Sequence, residues 1–427
     1  MTAQKSNNLD AAQQALQDRQ VPLAARLFDA LLREHPQSVE ARLGRARCAM
    51  LQSEPAIALA HLRQAASDAP DNAAIARSLG VTLLAVGSLD QAAIELQRAR
   101  VLQPQEALTH LHLGQVRERM QQPLAAAMSY YRALLCAQAR GHWLDRPSTP
   151  VHLQSAVLRA MDLVDRERRR ALEALLEPLQ QCHGAAPLKR VVKCLEGHLK
   201  TLVLRPTDAL QKPRFLLFPD LPAPRFLELA LFPWRERLEA ATEIVRAEAL
   251  AMLALDGALQ PFLKFDSPEQ VGRYLAGAQT APAWDAFFFY RDGHRVDANH
   301  ARCVQTSSVL ESLPLVRIRE HAPEICFSVL APGTHILSHT GVTNIRVVVH
   351  LPLVVPADCA IEVGGEIHEW QEGRMMVFDD TYEHQAFNRS AERRVILLMD
   401  AWNPYLEPVE REALAALIAG IGDFNRG

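Results

Sequence analysis

The chain has 427 residues, 49% of them apolar and 22% charged, with a formal net charge of −3. That length exceeds one typical domain, and the apolar content supports sizeable cores. The charge balance excludes the basic excess of a nucleic-acid binder, and no uncharged apolar run reaches the roughly 18 residues that would suggest membrane insertion. The N-terminus is polar and lacks the apolar segment of a signal peptide. Cys48, Cys136, Cys182, Cys194, Cys303, Cys326 and Cys359 form an odd, scattered set without a CxxC pair. They read as reduced, mostly buried thiols of a cytoplasmic protein.

Pro36, Pro70 and Pro104 recur at a spacing of 34 residues (70 − 36 and 104 − 70). Ala46, Gly80 and Gly114 keep that register, as do Ala58, Ala92 and Ala126, and Ala65, Ala99 and Ala133. Leu62, Leu96 and Tyr130 hold a bulky position between the last two sets. Small residues let paired helices approach, the bulky residue fills the gap, and the proline ends the second helix. The pattern therefore predicts stacked helical hairpins, and it resembles the tetratricopeptide repeat. Ala12, Ala24 and Phe28 carry the register into a degenerate first repeat that begins near residue 5. Two departures stand out: the usual aromatic near the start of each first helix is absent, and Arg117 stands where an apolar residue is normal. The resemblance implies an all-α solenoid over 5–140 whose concave groove takes a protein or peptide partner. The plainer alternative is that the repeats only dimerise or brace a catalytic domain.

Residues 141–205 read as a helical cap or connector, with Leu153, Val157, Leu158, Met161, Leu163 and Val164 on an apolar face. Arg166–Arg170 is a charge run that suits a solvated helix face. Prolines 206, 213, 219, 222 and 224 break the helical pattern and suit a boundary. A helix is expected from about Trp234 to Leu255.

From about residue 285 the texture changes to short strands without interleaved helices, which favours an antiparallel sandwich or barrel. Ala360–Trp370 reads as a hairpin turning at Gly364-Gly365. Alternation puts Arg346, Val348 and His350 on one strand face, and a shared Arg and His are costly to bury without partners. Asn388-Arg-Ser390 fits a glycosylation sequon that reads as chance in this setting. His335 and His368 read as structural or exposed, and Cys303 and Cys326 as core.

Pro332-Gly-Thr334, Ser338-His-Thr-Gly-Val-Thr-Asn-Ile-Arg346, His350-Leu-Pro-Leu353, Phe378-Asp-Asp-Thr-Tyr-Glu-His384 and Asp400-Ala-Trp-Asn-Pro404 are present in order. Together they resemble the aspartyl/asparaginyl β-hydroxylase family, closely over 325–405 and more weakly back to about 210. The resemblance implies a double-stranded β-helix domain, jelly-roll or cupin-like with flanking helices, over 206–410, followed by a helix or tail over 411–427. It implies an Fe(II)- and 2-oxoglutarate-dependent dioxygenase that uses O2 to hydroxylate the β-carbon of an Asp or Asn in a protein. His339 and His384 would be the iron ligands. The third position of the usual His-x-Asp/Glu…His set is Gly341, so water would take that place. Asp379, Asp380 and Glu383 are nearby alternatives that read as turn and supporting carboxylates. Arg394 would hold the distal carboxylate of 2-oxoglutarate, with Ser328 beside it; a guanidinium offers two parallel donors. Arg393 should point to the other face. His350 would lie near the metal-side carboxylate. Some members carry an arginine where this chain has Val348, and Arg346 is expected to compensate. Rival readings are a non-catalytic scaffold or 2-oxoglutarate sensor, a hydroxylase of a lipid or small molecule, and a halogenase. A zinc hydrolase fits poorly, because catalytic zinc takes three protein ligands.

Overall fold

The computed structural model describes residues 2–263, 271–277 and 282–426. Its chain divides into two compact units, one up to Ala171 together with the residues from Asp423, the other Leu172–Gly422.

The first unit is built from helical hairpins: α1 (Thr2–Gln17) with α2 (Val21–Glu34), α3 (Val39–Leu51) with α4 (Pro55–Asp68), α5 (Ala73–Ala85) with α6 (Leu89–Leu102), and α7 (Ala107–Arg119) with α8 (Pro123–Gln138). Ala58, Ala65, Ala92, Ala99, Ala126 and Ala133 are fully buried, and Leu62, Leu96 and Tyr130 fill the space between them. The 34-residue period also sets the helix caps. Ser38, Asn72 and Glu106 each stand two residues after a repeat proline. Their side chains accept from the backbone N–H of Ala41, of Ala74 and Ile75, and of Leu108, satisfying donors that a helix start leaves open. Arg117 finds polar partners where an apolar residue is normal: it donates to the Ala125 carbonyl at 3.2 Å and to Ser129 Oγ at 2.7 Å.

α9 (Gln154–Ala174) follows. Val157, Ala160 and Val164 are buried along it, but Leu158 is 62% exposed. The expected apolar face is thus narrower than the composition suggests, because Leu158 lies about 100° round the helix from Val157. The basic run on α9 is not wholly solvated either, since Glu167 is buried and Arg168 lies over the Tyr131 ring.

The second unit carries β1 (Gln260–Pro261), β2 (Leu275–Gly277), β3 (Trp284–Arg291), β4 (His294–Arg295), β5 (Ile325–Leu330), β6 (Thr334–His339), β7 (Arg346–Val354), β8 (Cys359–Val363), β9 (Glu366–Glu369), β10 (Met376–Phe378), β11 (His384–Asn388) and β12 (Arg394–Trp402). They form two antiparallel sheets. One has the order β1-β3-β5-β12-β7-β10 with β4 on β3; the other runs β2-β6-β11-β8-β9. The expected hairpin is β8–β9, and Gly364 and Gly365 both take positive φ at its turn, where side chains are disfavoured.

Strand alternation sorts the second unit into two interiors. Val347, Val349, Leu351 and Leu353 of β7 and Val395, Leu397, Met399 and Ala401 of β12 enter one apolar core. Helices Arg235–Ala240 and Thr242–Leu253 cover that core with Leu238, Val245, Ala249 and Met252. The single helix expected there is broken at Ala241, where Thr242 Oγ1 turns back to the Glu239 carbonyl at 2.6 Å. The alternate residues of both strands face a cavity instead. Its apolar lining draws on both sheets, with Ile336, Ile361 and Ala386 from one and Val348, Phe378 and Leu398 from the other. Asn388 of the sequon is fully buried, its amide donating to the carbonyls of Leu330, Ala331 and Glu392.

The proline-rich stretch is more than a boundary. It runs as a strap along the loops at the strand ends: Lys212 N–H donates to Thr381, Arg214 to Gly341, Phe215 to Val342 and Leu227 to Val377. Proline suits such a segment because it holds an extended backbone at low entropic cost.

A substitution in the first unit tests the packing. A Cβ on Gly114 would fall inside the Tyr130 ring, and that ring is held by its hydroxyl, which donates to Glu118 at 2.8 Å. Gly114→Ala is expected to destabilise the unit by about 1–3 kcal/mol in thermal unfolding of the full chain, despite the gain in helix propensity. A raised unfolding temperature would show that the ring yields and that close helix approach is not required.

Candidate active site

The turn before β11 is rigidly made. Asp379 accepts from Thr381 N and Oγ1 and from Gln211 Nε2 of the strap, at 2.9, 2.6 and 2.7 Å. Burial raises its carboxyl to about 6. The single O–H of the fully buried Tyr382 is shared between the Ala223 carbonyl at 2.6 Å and Asp208 Oδ2 at 3.0 Å. The strap and the turn therefore fix where β11 begins.

At that point β11 and β6 place His384 directly opposite His339. The ring centroids are 4.2 Å apart. Nδ1 of His339 bonds the Leu337 carbonyl at 2.8 Å, and Nδ1 of His384 bonds the Tyr382 carbonyl at 3.0 Å. A carbonyl only accepts, so both Nδ1 atoms carry the proton and both Nε2 atoms keep a lone pair. Burial, then the neighbouring His384, lowers His339 to about 4; burial lowers His384 as well, and Arg214 adds to the effect on both. The pair is thus neutral at physiological pH, the form a metal needs.

His350 is protonated on its other nitrogen. Trp370 Nε1–H donates to its Nδ1 at 3.2 Å, which leaves the proton on Nε2. Burial, then the charge of Arg394, depresses this histidine strongly. It is therefore a neutral donor facing the cavity, where the other two are acceptors.

Arg394 is 1% exposed, its Nε has no hydrogen-bond partner, and among the described residues no carboxylate pairs with it. Its guanidinium lies 5.0 Å from the Trp370 ring centre, and burial pulls its proton affinity down to about 10. Ser328 lines the same cavity from β5, opposite Ile396, and its Oγ accepts from Trp284 Nε1 at 2.9 Å. Arg393 is exposed and does not line the cavity. A buried cation without a counter-ion is costly unless an anion arrives.

Arg346 also lines the cavity but is not an open receptor. It pairs with the buried Asp400 and lies 3.9 Å from Asp380 Oδ2. Burial alone would lower its proton affinity, and these two carboxylates outweigh burial. The expectation that Arg346 stands in for the arginine missing at Val348 meets this obstacle: its charge is already matched. Val348 itself is buried and apolar.

Gly341 has a steric reason. A Cβ there would fall inside the Asp380 carboxyl group. Burial raises Asp380 to about 6 against the pull of Arg346, and its Oδ1 is buried without a partner. Among the described residues no third His, Cys, Asp or Glu joins His339 and His384 in a metal-binding group. Glu383 instead takes Lys212 of the strap, at 2.8 Å. The far wall carries Arg291 and Glu324, the latter raised to about 7 by burial. The cavity measures about 450 Å³.

Sequence reasoning singled out His339, His384, His350, Ser328, Arg346 and Arg394, and all six line this one cavity. It missed Trp370, which serves both His350 and Arg394; only its place at the end of a hairpin strand hinted at burial. It also missed Asp400 as the partner of Arg346, and the strap.

Residues 239–404 match the family described as aspartyl/asparaginyl beta-hydroxylase, and residues 9–56 and 52–107 match the tetratricopeptide repeat. "Aspartate beta-hydroxylase domain-containing protein 2" of Rattus norvegicus is 34% identical over 214 residues, 49% of this chain and 60% of that protein. The human "Aspartyl/asparaginyl beta-hydroxylase" is 33% identical over 181 residues, 42% of this chain and 22% of that protein. "Ornithine lipid ester-linked acyl 2-hydroxylase" of Rhizobium tropici is 29% identical over 196 residues, 45% of this chain and 66% of that protein. The chain spans about 60% of the length of the domain-containing relatives it matches. The chain thus carries tetratricopeptide repeats ahead of a domain of the aspartyl/asparaginyl β-hydroxylase family.

Proposed function

We propose that this chain is an Fe(II)- and 2-oxoglutarate-dependent dioxygenase that hydroxylates a polypeptide at the β-carbon of an Asp or Asn. One observation carries the reading: a single cavity holds two neutral imidazoles and a buried guanidinium with no counter-ion. The donor set fits both the metal and the cosubstrate. Two imidazole nitrogens suit a divalent first-row metal, and an enclosed guanidinium suits a carboxylate. When bound, iron with 2-oxoglutarate and O2 supplies the oxidising power, giving succinate, CO2 and a hydroxylated product.

The residues divide the remaining work. His339 and His384 offer Nε2 to the metal, and their carbonyl partners hold the tautomer and orientation. Arg394 and Ser328 receive the distal carboxylate of the cosubstrate. His350 offers its Nε2–H to the metal-side carboxylate, with Trp370 keeping that tautomer. Arg346, matched by Asp400, steadies Asp380 rather than meeting the cosubstrate. The apolar lining keeps water from the reacting centre. Asp380 fills the space beside Gly341, which disfavours a halide there and with it the halogenase reading.

The double-stranded β-helix belongs to this proposal and is supported by strand order. Counting β5 to β12 as one to eight, the sheets run 1-8-3-6 and 2-7-4-5, the interleaving of a jelly roll. Recruitment of the polypeptide falls to the repeats. A groove of about 600 Å³, with Leu43, Met50 and Val81 beside Arg47 and Arg77, supports that role. A cytoplasmic setting is supported by seven cysteines without a disulfide. A lipid substrate is the second reading, favoured by the name of the Rhizobium relative and by the apolar Val348 on the cavity wall. No helix among the described residues is long and apolar enough to cross a membrane.

Two measurements test the proposal. Purified protein with Fe(II), under air, is expected to form succinate from 2-oxoglutarate faster when lysate from a strain lacking the protein is added, and His384→Ala should cut this at least ~100-fold. No turnover in folded, iron-loaded protein would favour the scaffold or sensor. The second is thermal. Arg394→Met removes an unmatched buried charge, so the metal- and cosubstrate-free protein should melt higher than wild type. The further rise that 2-oxoglutarate gives the wild type should vanish, reflecting an affinity loss of about 2–5 kcal/mol. An unchanged 2-oxoglutarate shift in the variant would remove Arg394 from the cosubstrate site.

A further inference from the structure

The first helices of the hairpins repeat more than their packing residues. Leu16, Met50 and Leu84 stand one repeat apart on α1, α3 and α5, and Gln13, Arg47, Val81 and Gln115 keep a second such register. These rows run through two hollows of the first unit. Leu16, Met50, Arg47 and Val81 line one of about 600 Å³, and Leu84 and Gln115 line another of about 930 Å³. Helix α5 contributes to both, so they are successive stretches of one trough along the stacked hairpins.

The charge of the trough is one-sided. Arg47, Arg77, Arg119, Arg159 and Arg166 line it against Glu40 and Glu118, in a chain whose formal net charge is −3. Both carboxylates are already engaged. Glu40 lies in the first turn of α3, where the helix dipole favours an anion, and takes the Ser38 hydroxyl at 3.3 Å. Glu118 takes Arg159 at 2.6 and 2.9 Å and the Tyr130 hydroxyl at 2.8 Å. Arg77 pairs with Glu106, and Arg166 with Glu167. Arg47 and Arg119 are left over, one in each stretch. Among the described residues neither has a carboxylate within ion-pair distance, and Arg119 donates to the Leu84 carbonyl at 2.6 Å.

We infer that this trough docks an acidic, amphipathic polypeptide segment, its carboxylates meeting Arg47 and Arg119 and its apolar side chains lying along Leu16, Met50 and Leu84. The inference rests on the reading of the chain as a polypeptide hydroxylase and names the kind of segment the repeats recruit. An incoming carboxylate meets two guanidinium groups without breaking an ion pair, so the charge match is gained at little cost. The apolar row gives the same segment a surface to bury, which a purely ionic contact would not use. A nucleic acid is the other anionic candidate, and the lining disfavours it. Bases stack on open aromatic faces, whereas the aromatic rings of the trough, Phe28 and Tyr130, are each 1% exposed and packed against Gly44 and Gly114.

The test uses the full chain, without iron or 2-oxoglutarate, and three fluorescein-labelled peptides read by anisotropy. One is built of repeated Glu-Leu-Asp-Ala units, which put leucine on one face of a helix. The second carries Gln and Asn in place of the acids, and the third carries Ser in place of Leu. The first is expected to bind about tenfold more tightly than either of the others, with its margin over the amide peptide narrowing as salt is raised. Arg47→Glu and Arg119→Glu should each weaken the acidic peptide about fivefold and leave the amide peptide where it was. Arg47 holds no carboxylate within the chain, so Arg47→Glu should melt as wild type does. Charge reversal that leaves the acidic affinity unchanged, a Ser peptide that binds as well as its Leu parent, or oligouridine that outcompetes the acidic peptide overturns the inference. Docking is read apart from turnover. Preference for the acidic peptide with no oxygen entering any polypeptide would keep the docking surface and remove the hydroxylase reading. Oxygen entering a polypeptide, with no preference among the three peptides, would do the reverse.

Discussion

A guanidinium buried without a counter-ion organises the second unit. Arg394 sits on a central strand, between β5 and β7, and alternation sends its side chain into the cavity while Val395 enters the apolar core. Burying such a charge works against stability, and it is tolerated because the surrounding sheets are well packed and because an indole face softens the loss of water. Trp370 supplies that face. The same indole spends its only donor on His350. One side chain from the end of a hairpin thus couples the cation to the imidazole of His350, and the polarity of the cavity follows from their joint placement.

Three histidines of one chemical type do different work because of what each Nδ1 meets. A carbonyl at His339 and His384 forces the proton onto Nδ1; an indole donor at His350 forces it off. The carbonyls are local, each two residues earlier on the same strand or turn, so the tautomer of these two histidines is set by β6 and the β11 turn without distant help. The strap then holds that turn through Gln211, Asp208 and Ala223. Backbone that looks like linker in composition is therefore part of the site, and prolines in it reduce the freedom it must lose on docking.

The sequence made local and periodic features legible and hid pairings across the sheets. The 34-residue period announced the hairpins, and β-branched runs with a Gly-Gly turn announced β7 and β8–β9, because each depends on neighbours in the chain. His339, His384 and Arg394 could be singled out because their motifs are short and ordered. The fate of Arg346 could not. Its partner, Asp400, comes from β12, and only the antiparallel register of β7 with β12 puts the two together. Leu158 shows the converse limit: apolar identity did not place it inside, because helix geometry turned it outward. The caps at Ser38, Asn72 and Glu106 lay in the repeat register and were readable in principle, but three different residue types hid the common role.

The substitution of glycine for a carboxylate at position 341 is easily taken as a loss. The packing argues otherwise. Asp380 reaches the space above Gly341 from a separate turn, and it does so only because residue 341 has no Cβ. A carboxylate on residue 341 would be held stiffly by its own backbone beside His339. One delivered from residue 380 has Arg346 3.9 Å from one oxygen, and its other oxygen is buried without a partner. The carboxyl stays on the cavity wall with the imidazole pair, carried by a different turn. Glycine and aspartate are in this sense one device. The strap completes it, because the backbone N–H of Arg214 donates to the Gly341 carbonyl and so holds the glycine beside the Asp380 carboxyl.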